Sequence, residues 1–262
     1  MIFSYFDMLS GAPIPIDKVG HLRSPTLFEL SPTYGVGYSR YSLYLNHLSW
    51  NKEQLLKYGK YMGFHGIERL EKLGDLTTFD IVTLIKPMRD FLQEIFSFFM
   101  LEDCTWNESY RCYLTYASND DNSDEQVITG TINKENFEDV RKCILQLNFI
   151  GLDSSETSIT HSSERSAELW ARAQKHLQEQ AQKTQNDKKP EYDIGNIVSK
   201  VCAAHASYNL LNVYKLTVFQ LYDAFFQLGY MRGYDLSERI FSTHGGDKFN
   251  FEDWLKPILQ NK

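Results

Sequence analysis

The sequence predicts an α+β fold that is predominantly helical. Apolar residues recur at helical spacing in several long segments, and two short runs rich in β-branched and aromatic residues lie near the middle of the chain. A polar stretch then separates these runs from further helical patterns. We therefore expect an N-terminal α+β domain at residues 1–152, a polar linker with a helix at 153–192, and a small C-terminal helical module at 193–262.

The first elements follow from local turn and capping signals. Ile14 and Ile16 alternate between turn residues, which predicts a short N-terminal strand or hairpin. Ser24 and Pro25 have the residue types of a helix N-cap and of the first helical position, so a short helix is expected at residues 26–30.

Two helical patterns follow in the next third of the chain. From Tyr38 onward the apolar spacing is helical, and Ser49 has the residue type of a cap for the following helix, which carries Leu55 and Leu56. Further along, Thr77 lies three residues before Asp80, the spacing of a capping box.

The capping box at Thr77 predicts the start of a long helix that runs to Phe99, and Pro87 is expected to kink it.

Residues 111–116 and 126–132 are strand-like, so they predict a hairpin with a long polar loop at 118–125. A helix capped by Asn133 is expected next, at residues 134–149.

The second half is expected to be helical after a Ser- and Thr-rich stretch. Residues 164–185 carry a narrow apolar seam and predict a linker helix. Helices are then expected at 194–204, around 208–213, and from a capping box formed by Thr217 and its following residues. The Gly-Gly turn and amphipathic tail after His244 are expected to pack back.

Composition limits the classes of partner and compartment. The formal net charge is -7, and nucleic-acid binding depends on clustered Lys and Arg, so neither a nucleic acid nor an acidic membrane surface is an expected partner. The four cysteines form no CxxC pair and no long apolar segment occurs, so we expect no disulfide framework and no membrane span. These features favour a reducing cytoplasm.

Metal and catalytic motifs are incomplete in this sequence. Asp120, Asn122 and Asp124 have the spacing of the first calcium ligands, but the turn glycine and the final glutamate of a calcium loop are missing. Cys202 and His205 can share a helix face, yet zinc needs more ligands than these two. Without a nucleophile elbow, HExxH or Walker motif, we expect no catalytic residue, no metal and no cofactor, and a protein that is not an enzyme.

The aromatic segment YNLLNVYKLTVFQLYDAFFQLGY is the most distinctive part of the chain. Helical phase places Phe219, Tyr222, Phe226 and Tyr230 on one stripe, and aromatic side chains are enriched at binding hot spots. The same residues are also typical of a buried core. We take these four as the candidate partner-binding residues.

Two segments carry a family resemblance: IPIDKVGHLRSPTLFEL near the start, and YNLLNVYKLTVFQLYDAFFQL with GGDKFNFEDWL near the end. They resemble tail assembly chaperones of long-tailed bacteriophages of Gram-positive hosts. The resemblance implies a factor that binds the tape-measure protein, shields its apolar segments and helps tail-tube proteins to polymerise around it. A homo-oligomer is also compatible with this role in tail assembly.

Three function classes remain open at this stage. The first is the non-enzymatic tail morphogenesis factor just described. The second is a structural virion component of the tail or baseplate, whose aromatic helices are buried in permanent subunit contacts. The third is an enzyme with a scattered active site, which predicts a deep cleft with converging carboxylates or histidines around His205, His244 and Asp247.

Overall fold

The computed structural model describes residues 3–117, 127–150 and 194–244, and it confirms the α+β, mostly helical class. The chain divides into two compact units. The first comprises Met1–Gly151 together with Tyr214–Gln220, and the second comprises Leu152–Val213 and Leu221–Lys262. The predicted linker helix, the loop with the calcium-like spacing and the tail after His244 lie outside the described residues.

The N-terminal hairpin is confirmed, and a short helix that the sequence analysis missed precedes it. Helix α1 spans Tyr5–Ser10, and strands β1 (Ile14–Ile16) and β2 (Gly20–Leu22) pair antiparallel. The Ser4 hydroxyl accepts a hydrogen bond from the backbone N–H of Asp7 and caps α1. A helix of six residues is too short to show a clear apolar period.

The helix expected at residues 26–30 is wrong, because this segment bonds to a distant part of the chain. The N–H groups of Leu27 and Phe28 donate to the carbonyls of Leu216 and Tyr214, at 2.9 and 3.0 Å. Thr26 forms a β-bridge with Thr217, and residues 27–30 form turns. The segment keeps local hydrogen bonds of the i to i−3 type, from Glu29 to Thr26 and from Leu30 to Leu27, so it closes turns but does not continue as an α-helix.

The predicted pair of helices after Tyr38 is confirmed, with one change of cap. Helix α2 spans Tyr38–Ser49 and α3 spans Lys52–Tyr61. The cap of α3 is Asn51, not Ser49: the Asn51 side chain accepts from the N–H of Gln54, whose own side chain accepts from the N–H of Asn51. Ser49 bonds back to the carbonyl of Asn46 instead.

The long helix expected from Thr77 to Phe99 is two helices. A short helix α4 (Ile67–Glu71) comes first, and then the Thr77 capping box opens α5 (Thr78–Leu84) as expected. The chain extends at Ile85, with φ -100° and ψ 105°, and α6 (Lys86–Phe99) begins with Pro87 in its first turn. Pro87 therefore starts a helix, where its missing N–H costs nothing, rather than kinking one.

The predicted hairpin is confirmed as part of a three-stranded sheet. Its strands are β4 (Cys112–Tyr116) and β5 (Ile128–Ile132), and β3 (Asp103–Asn107), which the sequence analysis missed, completes the antiparallel order β3-β4-β5. Helix α7 spans Phe137–Leu147, so it starts later than expected. Asn133 closes the preceding turn, where its side chain accepts from the N–H groups of Glu135 and Asn136.

The core of the first unit is aromatic and lies between the sheet and helices α5, α6 and α7. The Phe96 and Tyr113 rings meet edge to face with centroids 5.2 Å apart, and the Phe79 and Phe137 centroids are 5.3 Å apart. All four side chains are buried. Such aromatic pairs add stability beyond the area that they bury.

The hairpin β1–β2 is held against the sheet through a glycine on β5. The carbonyl of Lys18 accepts from the N–H of Thr131 at 2.8 Å, and the carbonyl of Val19 accepts from the buried Thr115 hydroxyl at 2.6 Å. A Cβ at Gly130 would lie 2.4 Å from the Lys18 carbonyl oxygen. Only glycine allows the two backbones to approach this closely.

We expect Gly130→Ala to destabilise the first unit by about 1–3 kcal/mol, because the new methyl group must push the hairpin away from the sheet. Urea unfolding of the variant and the parent chain measures the difference. The matched control is Gly74→Ala, since a Cβ at Gly74 would meet no atom within 4 Å. Equal unfolding midpoints for the two variants would contradict this prediction.

The described part of the second half contains two helices. Helix α8 spans Ile194–Ala204, as expected, and α9 spans Val218–His244. The helix predicted around 208–213 is wrong: the chain forms turns there, followed by a 3₁₀ turn at Val213–Lys215. The side chains of Asn209 and Asn212 accept from nearby backbone N–H groups and stabilise these turns instead.

Candidate functional site

Helix α9 starts at the predicted capping box. The N–H of Thr217 donates to the Gln220 side-chain oxygen at 2.9 Å, and the N–H of Gln220 donates to the Thr217 hydroxyl at 3.2 Å. The Gln220 amide also donates to the carbonyl of Leu9 at 2.9 Å. The sequence analysis placed Tyr214–Gln220 in the C-terminal module, whereas these contacts make the segment part of the first compact unit.

Phe219 is an internal anchor of the first unit. Its side chain is 0% exposed, and its ring lies 4.6 Å from that of Phe149 and 6.1 Å from that of Tyr5, between centroids. A fully buried ring has no surface to offer a partner. The assignment of Phe219 to a partner-binding stripe is therefore corrected, because tertiary packing covers the first turn of the helix.

The other three candidate residues lie further along α9, in the second unit. Phe226 is 48% exposed, and Tyr222 and Tyr230 are half-buried. The Tyr222 and Phe226 rings are nearly parallel, with centroids 6.5 Å apart. These positions leave Phe226 the most accessible of the predicted set, and a partner contact by any of the three stays a prediction.

Helix α9 has a second set of accessible apolar residues that the sequence analysis missed. Leu236 is 60% exposed and Ile240 is 53% exposed. Gly229 and Gly233 lie between them and Phe226, and a Cβ at either glycine would meet no described atom within 4 Å. We call Phe226, Gly229, Gly233, Leu236 and Ile240 the exposed face of α9.

The exposed face of α9 follows a heptad spacing. Phe226, Gly233 and Ile240 are seven residues apart, as are Gly229 and Leu236, so all five share one side of the helix. This repeat was visible in the sequence and continues the phase of Phe219. What sequence could not show is that burial ends after the first turns of α9.

A neighbouring face of α9 packs within the second unit. The Lys200 ammonium group of α8 lies 5.8 Å from the centroid of the Phe225 ring, within the range of a cation–π contact. Leu221 and Ala224 are buried. The helix thus has a packed side near its start and an accessible apolar side further along.

Three buried titratable side chains outside α9, those of Cys104, Cys143 and Glu102, belong to the first unit. Burial raises the pKa of the Cys104 thiol to about 12 and that of Cys143 to about 11, so both stay protonated near neutral pH and are poor nucleophiles. The buried Glu102 carboxylate accepts from the backbone N–H and the ring Nδ1 of His21, at 2.8 and 2.7 Å. This pair holds the N-terminal hairpin in place.

The residues considered for zinc do not gather further ligands in the described chain. The His205 ring lies 4.4 Å from that of Tyr208, and its Nδ1 accepts from the N–H of Ser207 at 3.2 Å. Across residues 3–117, 127–150 and 194–244, no three His, Cys, Asp or Glu side chains are grouped to hold a metal ion. Within the same residues, no helix is both long and apolar enough to cross a bilayer.

Comparison with known families places this region in a phage context. Residues 183–258 match the family model described as the YomV second domain. The family is phage-associated, and the match supports a phage protein. The described part of the match contains α8 and α9 with its exposed face. No curated protein and no solved structure matched the chain.

Proposed function

We propose that this chain is a non-enzymatic phage tail morphogenesis factor that captures apolar helical segments of a partner on the exposed face of α9. The observation that carries the proposal is the location of this face, which lies inside the phage-associated match and presents Phe226, Leu236 and Ile240 to solvent. The proposed partner is the tape-measure protein, and the proposed outcome is assembly of tail-tube proteins around it in the host cytoplasm.

The energetics of the exposed face favour reversible capture. Each of the three apolar side chains has about half of its surface left to bury, which is worth roughly 1 kcal/mol apiece. Their sum of about 3 kcal/mol is small beside the entropic cost of association, so the partner must add contacts of its own and can still dissociate. A factor that releases the tape-measure protein before assembly ends needs an affinity high enough for capture and low enough for dissociation.

Co-expression with the tape-measure and tail-tube proteins of the same phage tests the proposal. We expect the tape-measure protein to co-purify with the parent chain and to be lost, by at least tenfold, from the double variant Leu236→Asp and Ile240→Asp. Charged side chains on the exposed face oppose burial against an apolar helix. The amount of co-purified protein is measured by quantitative mass spectrometry.

The matched control is Met231→Asp, which is compared with the single variant Leu236→Asp because each adds one negative charge, on opposite sides of α9. Met231 is also exposed and apolar, so the two changes differ mainly in the face that they alter. Equal loss of the partner from both variants, with both chains folded, would show that the exposed face is not the capture surface. Failure of the parent chain to retain the tape-measure protein would contradict the proposal itself.

A permanent tail or baseplate component is a second candidate, because accessible aromatic residues also occur in the first unit. Phe6 and Tyr61 are largely exposed, and the exposed rings of Phe28 and Tyr34 stack with centroids 4.2 Å apart. Permanent interfaces bury larger and more apolar areas than transient ones. Detection of the chain in purified virions, at a stoichiometry fixed to the tail, would favour this candidate over the capture factor.

A further inference from the structure

The segment Tyr214–Gln220 lies in a groove of the first unit, where backbone pairing and the start of α9 hold it. Three backbone hydrogen bonds of 2.9 to 3.1 Å join it to residues 25–28, and Thr26 forms a β-bridge with Thr217. We call Tyr214–Gln220 the anchor segment. We call its site the anchor groove, which is formed by Tyr5, Leu9, Gly11, residues 25–28 and Phe149.

The anchor groove is complementary to the anchor segment in both shape and hydrogen bonding. Val218 and Phe219 of the segment are 1% and 0% exposed, and a Cβ at Gly11 would lie only 3.0 Å from the Gln220 amide nitrogen. Backbone hydrogen bonds fix the register, and the Phe219 ring packs against two aromatic rings of the groove. Main-chain pairing combined with a side-chain pocket is a common way for proteins to bind peptides. The structure itself thus shows which sequence covers this apolar site.

A long stretch of chain connects the anchor groove to the anchor segment. The two parts of the first unit are separated by residues 152–213, which are 62 in number. Residues 151–193 alone have a contour length of about 150 Å. A compact domain of about 150 residues is only roughly 40 Å across. The length of the connection therefore permits the segment to reach the groove of its own copy or that of a neighbouring copy.

The contacts of the anchor segment are the same in either copy's groove. A segment docked in a second copy makes the same hydrogen bonds and buries the same Phe219 ring, so these contact energies do not favour one arrangement over the other. The balance depends on the concentration of second copies relative to the effective concentration that the connection gives to the chain's own segment. This effective concentration falls as the connection becomes longer.

The family match supports the treatment of this region as a module. Residues 183–258 form the match, so it begins within the connection and contains the whole anchor segment. The segment that packs in the first unit therefore belongs, by sequence family, to a separate domain. A domain that carries its own docking segment on a long connection can dock that segment in a second chain.

We propose that the anchor segment of one copy docks in the anchor groove of a second copy, so that two chains associate by reciprocal exchange of the region that follows residue 193. The partner is a second copy of this chain, and it completes the groove with its own Tyr214–Gln220. Exchange is favoured wherever many copies gather, because the concentration of second copies then exceeds the effective concentration within one chain. This inference does not depend on the capture of the tape-measure protein.

The β-bridge between Thr26 and Thr217 gives a geometric test of which copy holds the segment. Backbone hydrogen bonds between the neighbours of these two residues flank the bridge, so it is a non-hydrogen-bonded antiparallel pair. The Cα atoms of such a pair are about 4.5 Å apart, which a disulfide can span. One copy carries Thr26→Cys and a second carries Thr217→Cys, both with Cys202→Ser, because Cys202 is only half-buried. A disulfide between them requires the segment of one copy in the groove of the other.

The two variants are unfolded in urea, refolded together at increasing chain concentrations and then oxidised. We expect a cross-linked dimer on non-reducing gels, in a yield that rises with concentration. It should exceed by at least tenfold the dimer formed by a control pair of Thr26→Cys and Ser237→Cys, since Ser237 is an exposed residue further along α9.

Both cysteines in one chain supply a lock. When the double variant Thr26→Cys and Thr217→Cys is refolded and oxidised at low concentration, the disulfide holds the segment in its own groove. We expect this oxidised chain to sediment as a monomer at every concentration. The parent chain and the reduced double variant should instead form dimers as the concentration rises.

Three results would overturn the exchange. The first is a disulfide that forms readily within the double variant while the complementary single variants give no more dimer than the control pair. The second is a parent chain that sediments as a monomer at every concentration, whatever the cysteine variants do. The third is a dimer that persists in the oxidised double variant, because association would then use another surface. None of these results bears on capture of the tape-measure protein, so the two proposals fail separately.

Discussion

Replacing Phe219 with Ala is expected to destabilise the first unit by about 3–5 kcal/mol, the usual cost of removing a buried aromatic side chain. The ring is fully buried against Phe149 and Tyr5, so its loss leaves a cavity where the start of α9 is anchored. The gain in helix propensity from Ala, about 0.5 kcal/mol, is far too small to offset this cost. Urea unfolding followed by circular dichroism measures the change.

Hydrogen exchange gives a local measure of the same effect. The backbone amides of Leu27, Phe28 and Val218 make the hydrogen bonds that hold Tyr214–Gln220 in the first unit. In Phe219→Ala these three amides should exchange faster than those of strand β4. The matched control is Phe226→Ala, one heptad further along α9, which should cost about 1 kcal/mol or less because the ring is 48% exposed.

Comparable losses of stability in the two variants would contradict the assignment of Phe219 as an anchor and Phe226 as a surface residue. The same pair also separates folding from capture. Phe226→Ala should weaken capture of the tape-measure protein while the chain stays folded. If Phe226→Ala instead unfolds the chain, that ring is part of the core and does not belong to a capture surface.

The stability of the first unit is expected to fall by about 2 kcal/mol between pH 7 and pH 5 because of His47. This side chain of α2 is buried, its ring lies 5.1 Å from that of Phe91 between centroids, and neither ring nitrogen has a hydrogen-bond partner. The rings of Trp50 and Tyr58 pack on it as well. Burial lowers the pKa of His47 from 6.5 to about 4.

The direction of the effect follows from which state binds the proton. In the folded chain His47 is neutral down to about pH 4, whereas in the unfolded chain it takes up a proton below its ordinary pKa of 6.5. Stability from this group is therefore fully present above pH 6.5 and is lost as the pH falls toward 4, by about 1.4 kcal/mol per pH unit and about 3 kcal/mol in all.

The variant His47→Phe isolates this contribution. It keeps an aromatic ring in the site and removes both unpaired nitrogens, so stability at pH 7 should be equal or higher, and the difference from the parent chain should grow as the pH falls. Urea unfolding at half-unit pH intervals measures it. The pKa of Glu94, Glu29 and Asp80 is lowered too, so those groups act mainly below pH 5. Parallel pH profiles for variant and parent would contradict the prediction.

Local signals predicted most elements whose stabilising contacts are also local. The capping boxes at Thr77 and Thr217 form as expected, and α2, α3, α8 and the β4–β5 hairpin follow their apolar patterns. One of the wrong predictions has a tertiary cause. Ser24 and Pro25 carry a valid helix-start signal, but the N–H groups of Leu27 and Phe28 bond to the carbonyls of Leu216 and Tyr214, and residues 27–30 form turns.

The candidate site shows the same division between local and tertiary information. By itself the sequence determined that α9 forms, where it begins, and that its apolar residues repeat at helical spacing, because these properties depend on neighbours within a few positions. Only the tertiary structure decided that Phe219 is buried while Phe226, Leu236 and Ile240 are exposed. A continuous apolar stripe in the sequence does not show which of its residues are buried. Burial depends on residues far away in the chain, and for Phe219 these are Tyr5 and Phe149.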